Sequence, residues 1–419
     1  MHYEFHFWWT IITVAVIMGA LQGTVAYLIL LERKVAAWVQ DRLGPNRVGP
    51  LGLLQPIADG VKFLLKEDIV PSHVDKVFYL LAPGVSVGTA LLAFAVVPFG
   101  PTTPPPARPW QQTRAEEAKY LEEHPAFKEQ VQVYNDTVQF VIAPHVDIGI
   151  VFVFAVTSLA VYGIVLGGWS SNNKYSFMGS LRSSAQLISY EIPLGLSVLG
   201  IMLMSGALNL EKIIDYQVHN GWHVLYQPLA CLLFIISVFA ECNRLPFDLP
   251  EAEQELVGGY HTEYSAMKFA LFMLGEYTHM ITTSFLVIIL FFGGWQVLPW
   301  VPMPEGVWGA VAKIAVFAGK MALFILFYMV VRWTIPRFRF DQLMGLAWKV
   351  LMPLALINLV CVLIVRHFGL SPWLLLPISL VILLGAGALT VRPPRGPTRV
   401  NVPYRGHGTG KPAETVGVR

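Results

Sequence analysis

Between Asn243 and Glu276 lie Asp248, Glu251, Glu253, Glu255, Glu263 and Glu276, six carboxylates in a chain of 419 residues that is 55% hydrophobic and only 13% charged. They stand between apolar runs long enough to cross a bilayer, so solubility does not explain them. Acids held beside or inside a hydrocarbon layer are costly, and they bind or move charge. Glu191 lies two residues before Pro193 within one apolar run, Glu241 at the inner end of the next, and Glu276 well inside the one after, beside Tyr277 and near His279. At the centre of a span an acid costs roughly 3 kcal/mol, so Glu191 and Glu276 must face a polar interior or a partner. Lost hydration strengthens a carboxyl group's hold on its proton, towards the range in which protons are taken and released at neutral pH. Glu191, Glu241 and Glu276 are therefore candidate proton relays. The competing reading makes each a hydrogen-bonded clamp between helices, which accounts poorly for several membrane acids in one region.

The loop acids have their own geometry. Glu251, Glu253 and Glu255 alternate after Pro250, whose ring prevents a preceding helix from running through. In an extended loop all three point to one side, whereas in a helix only Glu251 and Glu255 share a face. Either way they repel, and at least one pKa in the set rises. With Asp248 and Glu263 they read as a loop that senses nearby charge, the alternative being an ordinary solvated loop.

The elements that must position these groups are membrane helices. Twelve Trp and twenty-five Phe in this apolar composition exclude an ordinary soluble domain. Runs near 20 apolar residues predict an all-α polytopic membrane protein of about nine spans: 8–31, 77–99, 146–168, 185–207, 224–241, 266–293, 311–332, 349–368 and 373–391. Residues 1–10 carry no basic n-region or small-residue cleavage site, so the first run reads as a retained span. With the N-terminus outside, inner segments 32–76, 169–184, 243–265, 332–349 and 392–419 hold about 20 Lys and Arg, and outer segments 100–145 and 206–223 about five. That asymmetry sets the expected orientation, with the C-terminus cytoplasmic. No internal repeat is visible, which speaks against a self-contained transporter.

Residues 1–391 thus form one membrane domain, with inner loops at 32–76 and 243–265. An outer insertion at 100–145 opens on a Pro-rich stretch and continues with charged, helix-favouring composition. Residues 392–419 form a basic, Pro- and Gly-rich tail expected to be flexible. In the first inner loop, Leu54, Ile57, Val61 and Leu65 recur at helical spacing, with Asp59, Lys62 and Lys66 elsewhere. The segment is too short and too charged to cross, so it predicts an amphipathic helix in the interface, a surface anchor or the frame of an opening. Cys231, Cys242 and Cys361 form no CxxC pair, and an iron–sulfur cluster normally takes four cysteines, so none is expected here.

Five motifs then resemble a known family. Glu32-Arg33-Lys34, the string from Asp41-Arg42 through Arg47 to Pro50, and Gln55-Pro56-Ile57-Ala58-Asp59-Gly60 resemble its first inner loop. The string from Glu241-Cys242-Asn243-Arg244 to Glu255-Leu256-Val257 resembles its acidic loop, and Trp169-Ser170-Ser171-Asn172, Ser189-Tyr190-Glu191 and Pro336-Arg337-Phe338-Arg339-Phe340-Asp341 match as well. The family is complex I subunit 1, a membrane component of the proton-translocating NADH:quinone oxidoreductases of respiration. The resemblance covers most of residues 10–365, leaving out the outer insertion and the tail.

That resemblance implies a membrane subunit of the cell inner (plasma) membrane that forms the membrane side of a quinone chamber. Glu32, Arg33, Arg42, Arg47, Asp59 and Arg244 would line it, and quinone would be the substrate. Flavin, iron–sulfur clusters and metals would be held by other subunits, and nucleotide binding likewise. Partners would be soluble chamber and iron–sulfur subunits of a peripheral arm, antiporter-like and small membrane subunits, and lipid, with no nucleic acid. Arg337, Arg339 and Asp341 read either as a gate to the chamber or as stop-transfer charge. The alternative family function is the homologous membrane subunit of a proton-pumping membrane-bound hydrogenase or related complex.

Overall fold

Helix after helix is set by apolar runs whose ends carry caps. The computed structural model describes residues 7–102, 124–127, 129, 140–143, 146–248, 257–301 and 306–390. The long helices are α1 (Phe7–Val39), α3 (Lys76–Leu92), α4 (Gly149–Ser170), α5 (Lys174–Ser205), α8 (Ala266–Phe291) and α9 (Val307–Thr334). Shorter helices are α2 (Gln55–Leu65), α6 (Leu210–Asn220), α7 (Pro228–Glu241), α10 (Phe340–Leu346), α11 (Met352–His367) and α12 (Leu375–Thr390). No strand occurs among the described residues. Asp75 caps α3 by accepting from the Val77 and Phe78 amides, and Asn173 and Asn209 cap α5 and α6 in the same way, satisfying donors that a helix start leaves open. Gly206, at φ 68°, ends α5 in the left-handed conformation that glycine adopts without cost.

Among the described residues, seven stretches are long and apolar enough to cross a membrane, the last running from Phe340 to His367 through α10, a π turn at Ala347–Leu351 and α11. The expected fifth and ninth spans are shorter. The 14 residues of α7 reach only about 21 Å, against a hydrocarbon core of about 30 Å. A separate turn, His223–Tyr226, leads into it.

Three boundaries differ from the sequence expectation. α1 continues to Val39, which places Glu32 and Arg33 on a helix rather than in the first inner loop, because partners within the fold take up their charges. α5 starts eleven residues before the expected span, at Lys174. Between α9 and α10 only residues 335–339 are non-helical, where an inner loop from 332 to 349 was expected. Asp341 stands in the first turn of α10, where a negative charge complements the helix dipole.

α8 is the hub: 89% of its most apolar stretch is buried, against 17% for α1. α3 and α4 pack closely because glycine meets Ser86 on α3 from two sides. A Cβ at Gly163 of α4 would lie 3.0 Å from the Ser86 amide nitrogen, and one at Gly275 of α8 would lie 2.8 Å from the Ser86 hydroxyl. The turn after α7 is drawn under α5 by Gln186, whose Nε2 donates to the Ala240 and Phe247 carbonyls, each at 2.8 Å. This arrangement leaves a small space between α3, α4, α5, α7 and α8.

Candidate functional site

That space is a cavity of about 40 Å³, and Glu191 from α5, Glu241 from the end of α7 and Glu276 from α8 all line it. The expected relay acids, 35 to 85 residues apart in the chain, thus share one wall. Tyr260 donates its phenolic proton to Glu276 Oε1 at 2.9 Å, and the Ser158 hydroxyl donates to Glu191 Oε1. Glu276 is 8% exposed, while Glu191 sits on the outward side of α5 and is exposed. One probe-sized water needs roughly 10–15 Å³, so the cavity has room for about three or four waters and none for an organic ring system. Its size and polar lining suit water.

A second centre lies next to it. Glu32 of α1, 8% exposed, accepts from the Tyr277 phenol at 2.7 Å and from Arg332 near the end of α9, with Arg244 Nη1 3.6 Å away. The Arg244 guanidinium stands 4.1 Å from the centre of the Tyr277 ring, a cation–π arrangement. Glu276 and Tyr277 are neighbours in sequence and therefore turn about 100° apart around α8. Glu276 lines the cavity and Tyr277 joins the ion cluster, so the two centres adjoin on α8.

The remaining chamber candidates divide. Arg33 pairs with Asp59 at 2.7 Å, and Gln55 donates to the other oxygen of Asp59 at 3.1 Å, which ties α1 to the amphipathic α2. The predicted apolar stripe of α2 is outward, Ile57 at 60% and Leu65 at 81% exposed, so it is free for lipid or a partner surface. Arg42, whose Nε donates to Gln40 Oε1 at 2.7 Å, and Arg47 are exposed in the loop between α1 and α2 and are not drawn into the buried cluster.

Of the acidic loop, Asp248 is 3% exposed and lies 3.4 Å from Arg337 Nη2. The rings of Phe247 and Phe338 stack beside this pair, and the Phe338 amide donates to the Pro246 carbonyl. Glu263 takes a 2.7 Å hydrogen bond from Asn173 Nδ2, and its own carbonyl accepts from the Tyr79 phenol at 2.7 Å. It braces α3 and α5 at the inner face and does not line the cavity. Glu251, Glu253 and Glu255 lie outside the described residues. At the start of α10 the Arg339 amide donates to Gln342 Oε1 at 3.1 Å, and Arg337 reaches towards the acidic loop.

Sequence reasoning missed several partners. Arg332 had the signature of an ordinary basic span end, and Tyr277 stands 245 residues from the carboxylate it serves. Lys320, inside α9, donates to the carbonyls of Phe292, Gly294 and Gln296 at 2.6, 3.1 and 2.5 Å, closing the end of α8 where helix carbonyls lack partners. A lysine in the middle of an apolar run was the available signal. Lys268 pairs with Asp68 at 2.5 Å, fixing the start of α8 to the loop after α2.

Comparison with known proteins follows the same lines. Residues 12–363 match the family model described as NADH dehydrogenase. The chain is 44% identical over 331 residues to the NADH-quinone oxidoreductase H subunit 1 of Cytophaga hutchinsonii, covering 78% of this chain and 88% of that one. It is 42% identical over 367 residues to NADH-quinone oxidoreductase subunit 8 of Rhodothermus marinus, 85% of this chain and 96% of the relative. With the NADH-quinone oxidoreductase H subunit of Deinococcus deserti it shares 44% identity over 382 residues, 91% and 89% of the two chains. An all-α chain with seven helices fit to cross a bilayer, its acids gathered between them and this breadth of likeness, belongs to the NADH dehydrogenase (complex I subunit 1) family of multi-pass membrane subunits.

Proposed function

We propose that this chain is the membrane subunit of a proton-translocating NADH:quinone oxidoreductase that forms the membrane side of the quinone chamber and couples quinone reduction to proton movement. The observation that carries the reading is the common cavity of Glu191, Glu241 and Glu276, adjacent through Glu276 and Tyr277 to the buried Glu32, Arg244 and Arg332 cluster. A hydrophobic quinone would enter from lipid beside α1 and α2. Its headgroup would pass Arg33, Asp59, Arg42 and Arg47 and meet a soluble partner that carries the terminal iron–sulfur centre.

Reduction there adds negative charge or withdraws protons. A unit charge about 8 Å from a carboxyl, at an effective dielectric near 20, changes its protonation energy by roughly 2 kcal/mol, or about 1.5 pKa units. The acidic loop, with Asp248 held by Arg337, would sense that change, and the cluster around Glu32 would pass it across α8 to Glu276. Protons would then leave by way of Glu241 and Glu191. Because Glu191 is exposed on α5, the route opens sideways, where an antiporter-like membrane subunit would cover it. The enzyme would sit in the cell inner membrane with its N-terminus outside and its basic tail cytoplasmic, as the distribution of Lys and Arg requires.

The test uses Glu191→Gln and Glu276→Gln in the assembled complex, in sealed vesicles. Both variants are expected to lose most proton translocation per electron pair while assembling at normal level. Full pumping stoichiometry in either would remove that acid from the relay.

A further inference from the structure

The cavity has a fourth ionisable wall that the relay above does not use. His279 lies one helical turn from Glu276 on α8, lines the same cavity as the three acids, and is 8% exposed. Both of its ring nitrogens are buried without a hydrogen-bond partner among the described residues. Leaving a buried polar atom unpaired costs about 1–3 kcal/mol, so an imidazole is an expensive way to fill space that an apolar side chain would fill without penalty. Its helical neighbours avoid that cost. Thr282 donates to the Thr278 carbonyl at 3.0 Å, Thr283 to that of His279 at 2.9 Å and Ser284 to that of Met280 at 2.6 Å. The other buried histidine among the described residues, His223, is held by the Leu290 carbonyl at 2.8 Å and stacks on Tyr216.

Two of the cavity acids are held by hydroxyl donors, Glu276 by Tyr260 and Glu191 by Ser158. An imidazole carries a donor and an acceptor on opposite sides of one ring, so it takes a proton on one nitrogen while releasing one from the other. We propose that His279 is a proton-carrying residue of this cavity, passing protons between Glu276 and the Glu241 and Glu191 side through water held in it. The step balances without electron transfer: a proton arrives on the unprotonated ring nitrogen and the opposite N–H proton leaves. Tautomer exchange then restores the ring. This inference rests on the proton-coupling reading of the acids and adds the group that links them.

The test uses the assembled complex in sealed vesicles with His279→Asn, which keeps size and hydrogen bonding but does not protonate, and His279→Ala. Electron input is followed with an artificial acceptor that bypasses quinone, and proton translocation with a pH-sensitive dye. Translocation is expected to fall roughly 10²-fold in both variants, the lower end for loss of a positioned proton-transfer group, with electron input to the artificial acceptor unchanged. Added imidazole should restore the His279→Ala complex, and pyrazole, which has the same shape but does not protonate near neutrality, should not. Wild-type translocation in His279→Asn, or equal restoration by pyrazole, overturns the proposal. Glu276→Gln measured alongside separates the two ideas. If it pumps fully, the relay itself fails; if it does not while His279→Asn does, only the role of His279 is lost.

Discussion

Glu32 shows why charge survives in the interior of this molecule. Its carboxylate is surrounded by two guanidinium groups and a phenol, so no charge is buried alone, and removing one partner would leave another uncompensated. The same logic separates Glu211, on the opposite side of the chain. It sits in the first turn of α6 at 6% exposure, one carboxylate oxygen has no partner among the described residues, and burial pushes its carboxyl up to about 7, with Lys212 pulling the other way. The fold therefore favours its protonated form. The stability this allows is complete below the unfolded value of about 4.5 and is lost as pH rises through about 7. Glu211→Gln should melt higher than the parent at about pH 8, and the two should converge near pH 4.5. Thermal unfolding of purified protein across that range checks the sign, and a constant difference at all pH values would refute it.

Among the elements, the approach of α3 to α8 decides whether the cavity exists in its present size. The Gly275 Cβ position lies 2.8 Å from the Ser86 hydroxyl, with the Ser86 backbone at an ordinary 3.5 Å, so the obstacle is one oxygen atom. Gly275→Ala should destabilise the protein by about 1–3 kcal/mol, the usual cost of overpacking. Ser86→Ala in the same chain should recover most of that loss. A double-mutant cycle by thermal unfolding measures it, and additive effects would mean that the two helices do not meet there. Lys320 works on the other end of α8, where three carbonyls share one ammonium group. Both devices hold the helix that carries Glu276, Tyr277 and His279.

At the scale of the whole molecule, two surfaces are unlike an ordinary lipid-facing exterior. One is the outward face of α5 around Glu191, where an exposed carboxylate lies among Ile188 and Ile192. A carboxylate against lipid is costly, which suits this face to cover by a neighbouring subunit. Ile188→Cys, at a site 54% exposed in the chain alone, should react with a membrane-permeant maleimide in the isolated subunit and be protected in the assembled complex. Equal labelling in both would place the partner elsewhere. The other surface is the uncovered apolar stripe of α2 beside α1, which fits an entrance from lipid for a hydrophobic substrate.

By itself the sequence determined the class, most of the spans and the family, because apolar runs near 20 residues have only one stable home and because the motifs of the first inner loop and the acidic loop are long. It also picked out Glu191, Glu241 and Glu276, since an acid within an apolar run signals its cost without any knowledge of neighbours. What the tertiary structure decided was company. The three acids come to one cavity because α5, α7 and α8 pack around it, while Gly163 and Gly275 let α3 close against α4 and α8. Glu32 meets Arg332 across 300 residues, and Tyr277, next in sequence to Glu276, donates to the same carboxylate. The two short helices, α7 and α12, likewise have apolar stretches like the others, and the turns at their ends emerge only from packing. Hydrophobicity is additive along a chain and can be read locally, whereas pairing between charges depends on which helix faces which, and that is a property of the assembled bundle.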